Sequence, residues 1–311
     1  MAYAIRIQAH GGPEVMVAEE VAVGAPGPGE ARLRQTAIGL NYIDTYHRSG
    51  LYPLTMPTGI GQEAAGVVEA LGAGVDFLKV GDRVAYCGGP IGAYASERLF
   101  PADRLVKIPE GVDDTTAATL MLKGLTVQYL FRQTHRLQGG ETIVFHAAAG
   151  GVGLIACQWA RALGVTMIGT VGTQAKAELA QAHGCAHTVV TSREDFVART
   201  REITGGKGVP VVYDSIGKDT FPQSLDCLQP RGLFVTFGAS SGPIAAFNVG
   251  LLAQKGSLYM TRPTLFNYAT TRANLTAMAD EMFALVQAGK IKSEARQTFA
   301  LKDAAEAHRV L

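Results

Sequence analysis

The sequence predicts an α/β protein of two lobes, a doubly wound parallel sheet in the second half of the chain and a β-rich lobe in the first. Three observations predict it. Residues 142–154, TIVFHAAAGGVGL, pass from an apolar β-type run through a small-residue turn (Ala147 to Gly153) into a helical pattern. Apolar runs and helical patterns then alternate to about residue 260, as a parallel sheet with crossover helices requires. The first 120 residues have another texture, with short strand-like runs broken by Gly and Pro.

In the first lobe the strand-like runs are 31–38, 64–71 and 83–86. Pro26-Gly27-Pro28-Gly29 reads as a loop and Gly81-Asp82 as a tight turn. In the second lobe the first strand is 142–146. Gly164 ends the helix after it, and 165–171 is the second strand. A helix is expected at 174–183, ended by Gly184, and a third strand at 187–190. Ser192 with Asp195 reads as a capping pair for a helix through Ile203. Further strands are expected at 209–214, 233–237 and 257–260, separated by helical stretches apart from loop around Pro243. After Pro263 the chain is mostly helical (272–288), then 291–299, with a last helical start at Lys302. These final pieces are expected to fold back onto the first lobe, leaving the glycine turn facing a cleft, where ligands tend to bind.

The turn carries the first chemical inference. Gly150 and Gly151 let backbone pass close to a pyrophosphate, and the N–H groups of Gly151 and Val152 at the helix start suit that anion. Small residues that merely pack strand against helix are the alternative. The end of the second strand then bears on cofactor choice. An NAD site usually carries Asp or Glu there, about 20 residues beyond the turn, for the ribose 2′-hydroxyl. Here the segment reads Thr170-Val171-Gly172-Thr173-Gln174-Ala175-Lys176, with no carboxylate before Glu178. Gly172 and Thr173 offer N–H and hydroxyl donors, and Lys176 is placed for a 2′-phosphate. A solvated first-turn lysine is the alternative.

Composition narrows the classes. A chain of 311 residues with 47% hydrophobic content suits two domains with real cores. A net charge of +1 gives no polyanion signal, so nucleic acid is not expected as partner. No apolar run of transmembrane length, signal-peptide core, low-complexity tract or repeat is visible, and a cytoplasmic location is expected. Cys87, Cys157, Cys185 and Cys227 are far apart with no Cys-x-x-Cys, which argues against a structural zinc site. Cys157 and Cys227 fall in helical patterns and read as buried small hydrophobes.

GGPEVM at 11–16, NYIDTYHRSGLYP at 41–53, GQEAAGVVEALGAGV at 61–75 and VGDRVAY at 80–86 follow one another in the first lobe. LKGLTVQYL at 122–130, HAAAGGVGLIACQWA at 146–160, VVYDSIG at 211–217 and QKGSLYMTRP at 254–263 follow in the second. Over essentially its whole length the chain resembles the zinc-free quinone oxidoreductases of the medium-chain dehydrogenase/reductase superfamily, close to the bacterial NADPH:quinone reductases and similar to zeta-crystallin. The resemblance implies a GroES-like catalytic domain at 1–121, completed by 263–311, and a Rossmann NADP-binding domain at 122–262. It implies NADPH as cofactor, a quinone as substrate, and a homodimer in which the last sheet strands pair, with 257–260 as the candidate edge.

Zinc alcohol dehydrogenases of that superfamily place a Cys ligand where this chain has Asn41 and a His where Gln62 stands. Neither side chain here suits zinc, and Glu63 and Asp44 cannot alone build the usual site. The resemblance puts Tyr46 and Tyr52 at the substrate cleft as a flat wall with hydroxyl donors; ordinary packing is the alternative. It puts Asn41, Lys123, Thr126 and Tyr129 beside the nicotinamide and ribose, with surface exposure as the alternative for Lys123. Ile216 and Gly238-Ala239-Ser240-Ser241 would run along the cofactor on the other side. Thr191 stands where related enzymes often have a Tyr by the adenosine phosphate. Relatives also continue past the helical pattern at 303–311 and often bring a basic residue to the 2′-phosphate. Weaker NADP affinity than the family implies is therefore expected. Other readings are reduction of activated enones or aldehydes at the same cleft, or a non-catalytic NADPH-binding, crystallin-like role.

Overall fold

Alternating runs such as Ala31-Arg32-Leu33-Arg34 can bury one face and solvate the other, which is what an antiparallel sheet offers. In the computed structural model, which describes Met1–Leu311, they do so in the first of two compact units. Unit 1 comprises Met1–Leu122, Ala269–Gln287 and Ser293–Leu311. Its elements are β1 (Ala2–Ile7), β2 (Val17–Val21), β3 (Glu30–Gly39), α1 (Tyr42–Ser49), β4 (Thr58–Gly59), β5 (Glu63–Leu71), β6 (Arg83–Cys87), β7 (Glu97–Pro101) and β8 (Val106–Lys107), followed by α2 (Asp114–Tyr129). A five-stranded antiparallel sheet runs β7-β3-β5-β6-β8, and a smaller one β2-β1-β4. Ala31, Leu33, Val68, Val84, Tyr86 and Phe100 form the core of the larger sheet. On its outer face Arg32 pairs with Glu97 at 2.6 Å and Arg34 with Glu69 at 3.1 Å, across strands.

Unit 2 comprises Lys123–Tyr268 and Ala288–Lys292, so the boundary falls inside α2. Its elements are β9 (Thr142–Phe145), α3 (Gly151–Ala162), β10 (Thr166–Val171), α4 (Gln174–Ala182), β11 (His187–Val190), α5 (Phe196–Ile203), β12 (Val209–Asp214), β13 (Leu228–Thr236), α6 (Gly250–Gln254) and β14 (Tyr259–Thr261). Two helices of unit 1 close the chain, α7 (Arg272–Gln287) and α8 (Ala304–Val310). The six strands are all parallel, in the order β11-β10-β9-β12-β13-β14. That is 3-2-1-4-5-6 in chain order, and direction reverses between β9 and β12. Val144, Ile168, Val189, Val212 and Phe234 fill its core, each fully buried. Continuous apolar strands are what a sheet covered on both faces demands.

The structure differs from the expectations in several places. Asp195 alone caps α5, accepting from the Val197 and Ala198 amides at 2.8 and 3.1 Å. Ser192 takes no part. It lies in an exposed turn where the Glu194 carboxylate instead accepts the Val190 amide at 2.8 Å. β13 begins five residues before the expected strand, because it runs through Pro230-Arg231-Gly232 with Arg231 at φ 61. Those residue types read as a break. Between β12 and β13 there is only a short 3-10 turn, Gln223–Cys227. The last strand is Tyr259–Thr261, with Ser257 left in the turn before it. Residues 263–268 and 288–292 cluster with unit 2, not with the first lobe. No helix is long and apolar enough to cross a membrane.

Candidate active site

The glycine turn follows β9 at the point where strand order reverses, the place where parallel sheets bind ligands. Ala147 takes the left-handed region at φ 55, and Gly150 is the N-cap residue of α3. Only glycine fits at 153, since a Cβ there would stand 2.6 Å from the Ala148 carbonyl carbon and oxygen. This lets α3 start close against the strand end. The amides of Gly151 and Val152 belong to its first turn, where no intrahelical acceptor exists. The Lys123 stem crosses the turn, its Cδ and Cε 3.0 and 3.1 Å from where a Cβ on Gly151 would be. Thr126 lies one helical turn further along α2. Tyr129 is buried and stacked on Tyr268, ring centroids 4.7 Å apart, and burial pushes its phenol up.

A buried hydrogen-bond chain ties this turn to the loop after β12. His146 receives the Thr170 hydroxyl at Nδ1 (2.8 Å) and donates from Nε2 to Ser224 Oγ (2.9 Å), because the Ser224 hydroxyl is itself donated to the Thr220 carbonyl. The Thr220 hydroxyl donates to Asp214 Oδ2 at 2.8 Å. Asp214 Oδ1 accepts the amides of Ile216 and Gly217 at 2.7 and 3.2 Å. The loop after β13 is bonded to the same segment. The Ser240 and Ser241 amides donate to the Ser215 and Ile216 carbonyls at 3.1 and 3.0 Å, and the Ser241 hydroxyl to Ile216 at 2.9 Å. Gly238 and Ala239 lead into that contact. The carboxyl ends of β9, β12 and β13 thus form one connected rim.

At the end of β10, Gly172, Thr173 and Lys176 are all exposed. Thr173 is the N-cap of α4, its hydroxyl oxygen accepting the Lys176 amide at 3.3 Å. Thr191, at the end of β11, donates both its amide (2.9 Å) and its hydroxyl (3.2 Å) to the Val171 carbonyl, so the two strand ends are joined. This brings up a cation that sequence reasoning missed. The Arg193 guanidinium donates to the side chain of Gln174, the first residue of α4. Arg193 and Lys176 therefore flank one helix start. The available signal was a basic residue three positions past the end of the strand next to the second strand.

In unit 1 the two candidate tyrosines do not share a loop. Tyr46 is on α1 and Tyr52 follows it. Gly50, at φ 85, ends the helix and turns the chain back, so that the Tyr52 amide donates to the Tyr46 carbonyl at 3.1 Å. Their rings meet edge to face at 5.1 Å, and Tyr42 meets Tyr46 at 5.4 Å. Asn41, at the head of the same helix, is buried. Its side chain donates to Glu63 Oε2 at 2.6 Å and its amide to Asp44 Oδ2 at 3.0 Å. Glu63 Oε1 accepts the Leu122 amide at 2.6 Å.

Behind Asp44 lies a second network invisible in the sequence. Arg48 donates to His308 Nδ1 at 2.9 Å, which places the ring proton on Nε2, facing the Tyr94 hydroxyl at 3.0 Å. Tyr94 in turn donates to Asp44 Oδ2 at 3.0 Å. Burial, with the Asp44 charge beside it, keeps the Tyr94 phenol well above its ordinary range. Burial, and secondarily Arg48, lowers His308 to about 4. Burial also lowers His47 and His146 below the usual histidine range. All three rings are neutral in the fold near pH 7. The unfolded chain takes up these protons near 6.5 and the folded chain only at lower pH, so stability is complete above about 6.5 and is lost as pH falls toward 4. The melting temperature is therefore expected to fall between pH 7 and pH 5, and His308→Gln to flatten part of that slope. A pH-independent melting temperature across that range would contradict it.

A six-stranded parallel sheet with a glycine turn at its switch point, joined to an antiparallel β-rich unit, defines a two-domain nucleotide-dependent oxidoreductase. Residues 27–110 match the alcohol dehydrogenase GroES-like domain and 151–282 the zinc-binding dehydrogenase domain. The chain is 57% identical to a Pseudomonas aeruginosa quinone oxidoreductase over 99% of its own length and 95% of the relative's. It is 50% identical to a Burkholderia 2-haloacrylate reductase, covering 100% and 96%. The crystal structure of Escherichia coli quinone oxidoreductase complexed with NADPH superposes with a TM-score of 0.97 at 50% identity, covering 99% of this chain and 95% of that one. The chain belongs to the quinone oxidoreductase family of the medium-chain dehydrogenases and reductases.

The zinc in the domain's description does not fit the residues present. No group of three or more His, Cys, Asp or Glu is arranged to hold a metal ion. Asn41 is committed to Glu63, and Glu63 and Asp44 are each occupied by N–H or O–H donors.

Proposed function

We propose that this chain reduces quinones with NADPH, by hydride transfer and without a metal. The observation that carries the reading is the donor set around Asn41. With Asn41 held by Glu63, and glutamine at position 62, the residues offer no Lewis acid to polarise a carbonyl. A quinone needs none, because its ring accepts a hydride readily and its oxygens take protons readily. The quinone oxidoreductases at 50–57% identity, one of them solved with NADPH, support this reading.

NADPH, when bound, supplies the hydride. The amides of Gly151 and Val152 hold its diphosphate, and Lys123 neutralises charge above the turn. Gly172, Thr173, Lys176 and Arg193 receive the 2′-phosphate, with Thr191 fixing the strand end behind them. Ile216 and the 238–241 segment bound the other side. Asn41, Thr126 and Tyr129 are the residues assigned to the nicotinamide and ribose. Tyr46 and Tyr52 present a wall that orients the quinone ring, and their hydroxyls donate to its oxygens as charge develops. Edge strand β14, with Tyr259 63% exposed, is the surface by which two copies would pair as a homodimer.

A second reading, reduction of an activated carbon–carbon double bond, is favoured by the 2-haloacrylate reductase at 50% identity. Both readings need no metal. Full activity is expected after exhaustive chelation, with no stoichiometric zinc by elemental analysis. One tightly held zinc per chain, required for turnover, would overturn both and restore an alcohol dehydrogenase reading.

A further inference from the structure

The mechanism leaves four thiols unused, and all are free and buried. Two of them meet. Cys157 lies in the second turn of α3, and Cys185 in the turn between α4 and β11. Both pack against Ala148. The backbones are close as well, since a Cβ on Gly184, next to Cys185, would stand 3.4 Å from the Cys157 carbonyl oxygen.

The pair sits directly under the cofactor turn. The Cys157 thiol donates to the carbonyl of Ala148, a turn residue, at 3.6 Å. The Cys185 sulfur and the Ala148 methyl crowd the same point over Gly169 in β10, 2.6 and 2.5 Å from where a Cβ there would be. Cys185 also lies 3.1 Å from the His187 carbonyl oxygen and 3.5 Å from that of Met167.

We propose that Cys157 and Cys185 are a redox-responsive dithiol, closed to a disulfide by a peroxide and thereby weakening dinucleotide binding at the turn above. Cys185 is the attacking thiol. It is the more exposed of the two, and its thiol is lowered, chiefly by the neighbouring Cys157 side chain and then by the Gly169 and His187 amides, against burial that raises it. The Cys185 sulfur attacks the peroxide O–O bond. One oxygen leaves as water and the other stays as the sulfenic hydroxyl. The Cys157 sulfur then displaces that hydroxyl as a second molecule of water. Two thiols lose two electrons, and the peroxide gains them.

Closure changes the turn because a disulfide needs its sulfurs about 2.05 Å apart, well inside hydrogen-bond range. Gly169 leaves no slack, and close-packed interiors transmit such shifts. The Cys157 bond to Ala148 is lost, and α3, whose first amides form the anion site, is pulled toward the turn before β11. The binding consequence rests on the NADPH reading; the disulfide does not.

The test exposes the full-length protein to hydrogen peroxide. Linked peptides are read by mass spectrometry after non-reducing digestion, and NADPH affinity is read by fluorescence titration before oxidation, after it, and after dithiothreitol. A Cys157–Cys185 peptide is expected, with the NADPH Kd raised about tenfold, equivalent to about 1.4 kcal/mol, and restored by dithiothreitol. Cys185→Ser is expected to bind NADPH like the reduced wild type and to ignore peroxide. Thiols that stay reduced, or that oxidise without linking, would overturn the proposal. So would a linked peptide with unchanged affinity, or an equal response in Cys185→Ser. Should the reduced protein bind no NADPH at all, the cofactor reading fails, and the linked peptide alone decides the dithiol.

Discussion

Truncating Tyr46 or Tyr52 to alanine is expected to lower kcat/KM for a small quinone by about 10²-fold, because a misplacement of about 1 Å costs that much. The two rings hold each other edge to face at 5.1 Å, so removing either frees its partner. Tyr42 at 5.4 Å and His47 at 6.0 Å extend the cluster, and the left-handed turn at Gly50 fixes the return of the chain that makes it. The NADPH Kd should stay within about twofold, since losing a wall for the acceptor removes orientation and not cofactor binding. Phenylalanine at either site should cost less, because the ring positions the acceptor and water can replace the hydroxyl as proton source. Parallel measurement of kcat/KM and of NADPH Kd for each variant checks this. Unchanged kinetics in both alanine variants would mean that the tyrosines only pack.

Replacing Lys176 or Arg193 by alanine is expected to erode a preference for NADPH over NADH. A hydrogen bond to a charged group contributes about 1.5–3 kcal/mol, or roughly 10- to 150-fold in affinity. The exposure of both side chains places each near the lower end. Both flank the start of α4, so the double variant should lose less than the sum of the two. NADH affinity should not move. Titration of each variant with both cofactors is the check, and equal affinity of the unmutated protein for NADPH and NADH would sink the 2′-phosphate reading.

The parallel sheet was legible because its strands are apolar runs bounded by glycine. β11 at 187–190 and β12 at 209–214 fall where the sequence places them. The turn at 147–153 was legible for the same local reason. Helix α1 was not. It buries Asp44 and His47, so hydrophobic periodicity fails, and its ends are set by the Asn41–Asp44 contact and by Gly50. β2 was missed because five residues of exposed or half-exposed VAEEV carry no strand signal without β1, the partner that pairs with them. The Tyr94–His308 contact joins residues 214 positions apart, and no local pattern encodes it. Arg193 was hidden by the same kind of gap, since its partner Gln174 belongs to another strand–helix unit. Local structure could be read from the chain. Chemistry assembled across elements could not.

The most direct test of the central claim is NADPH oxidation by the purified protein, after exhaustive chelation, against a panel of quinones, activated alkenes and aldehydes. The account predicts that simple quinones support turnover, that NADPH outperforms NADH, and that chelation changes nothing. Turnover confined to aldehydes or alcohols and dependent on zinc, or no turnover with any quinone while NADPH still binds, would contradict it.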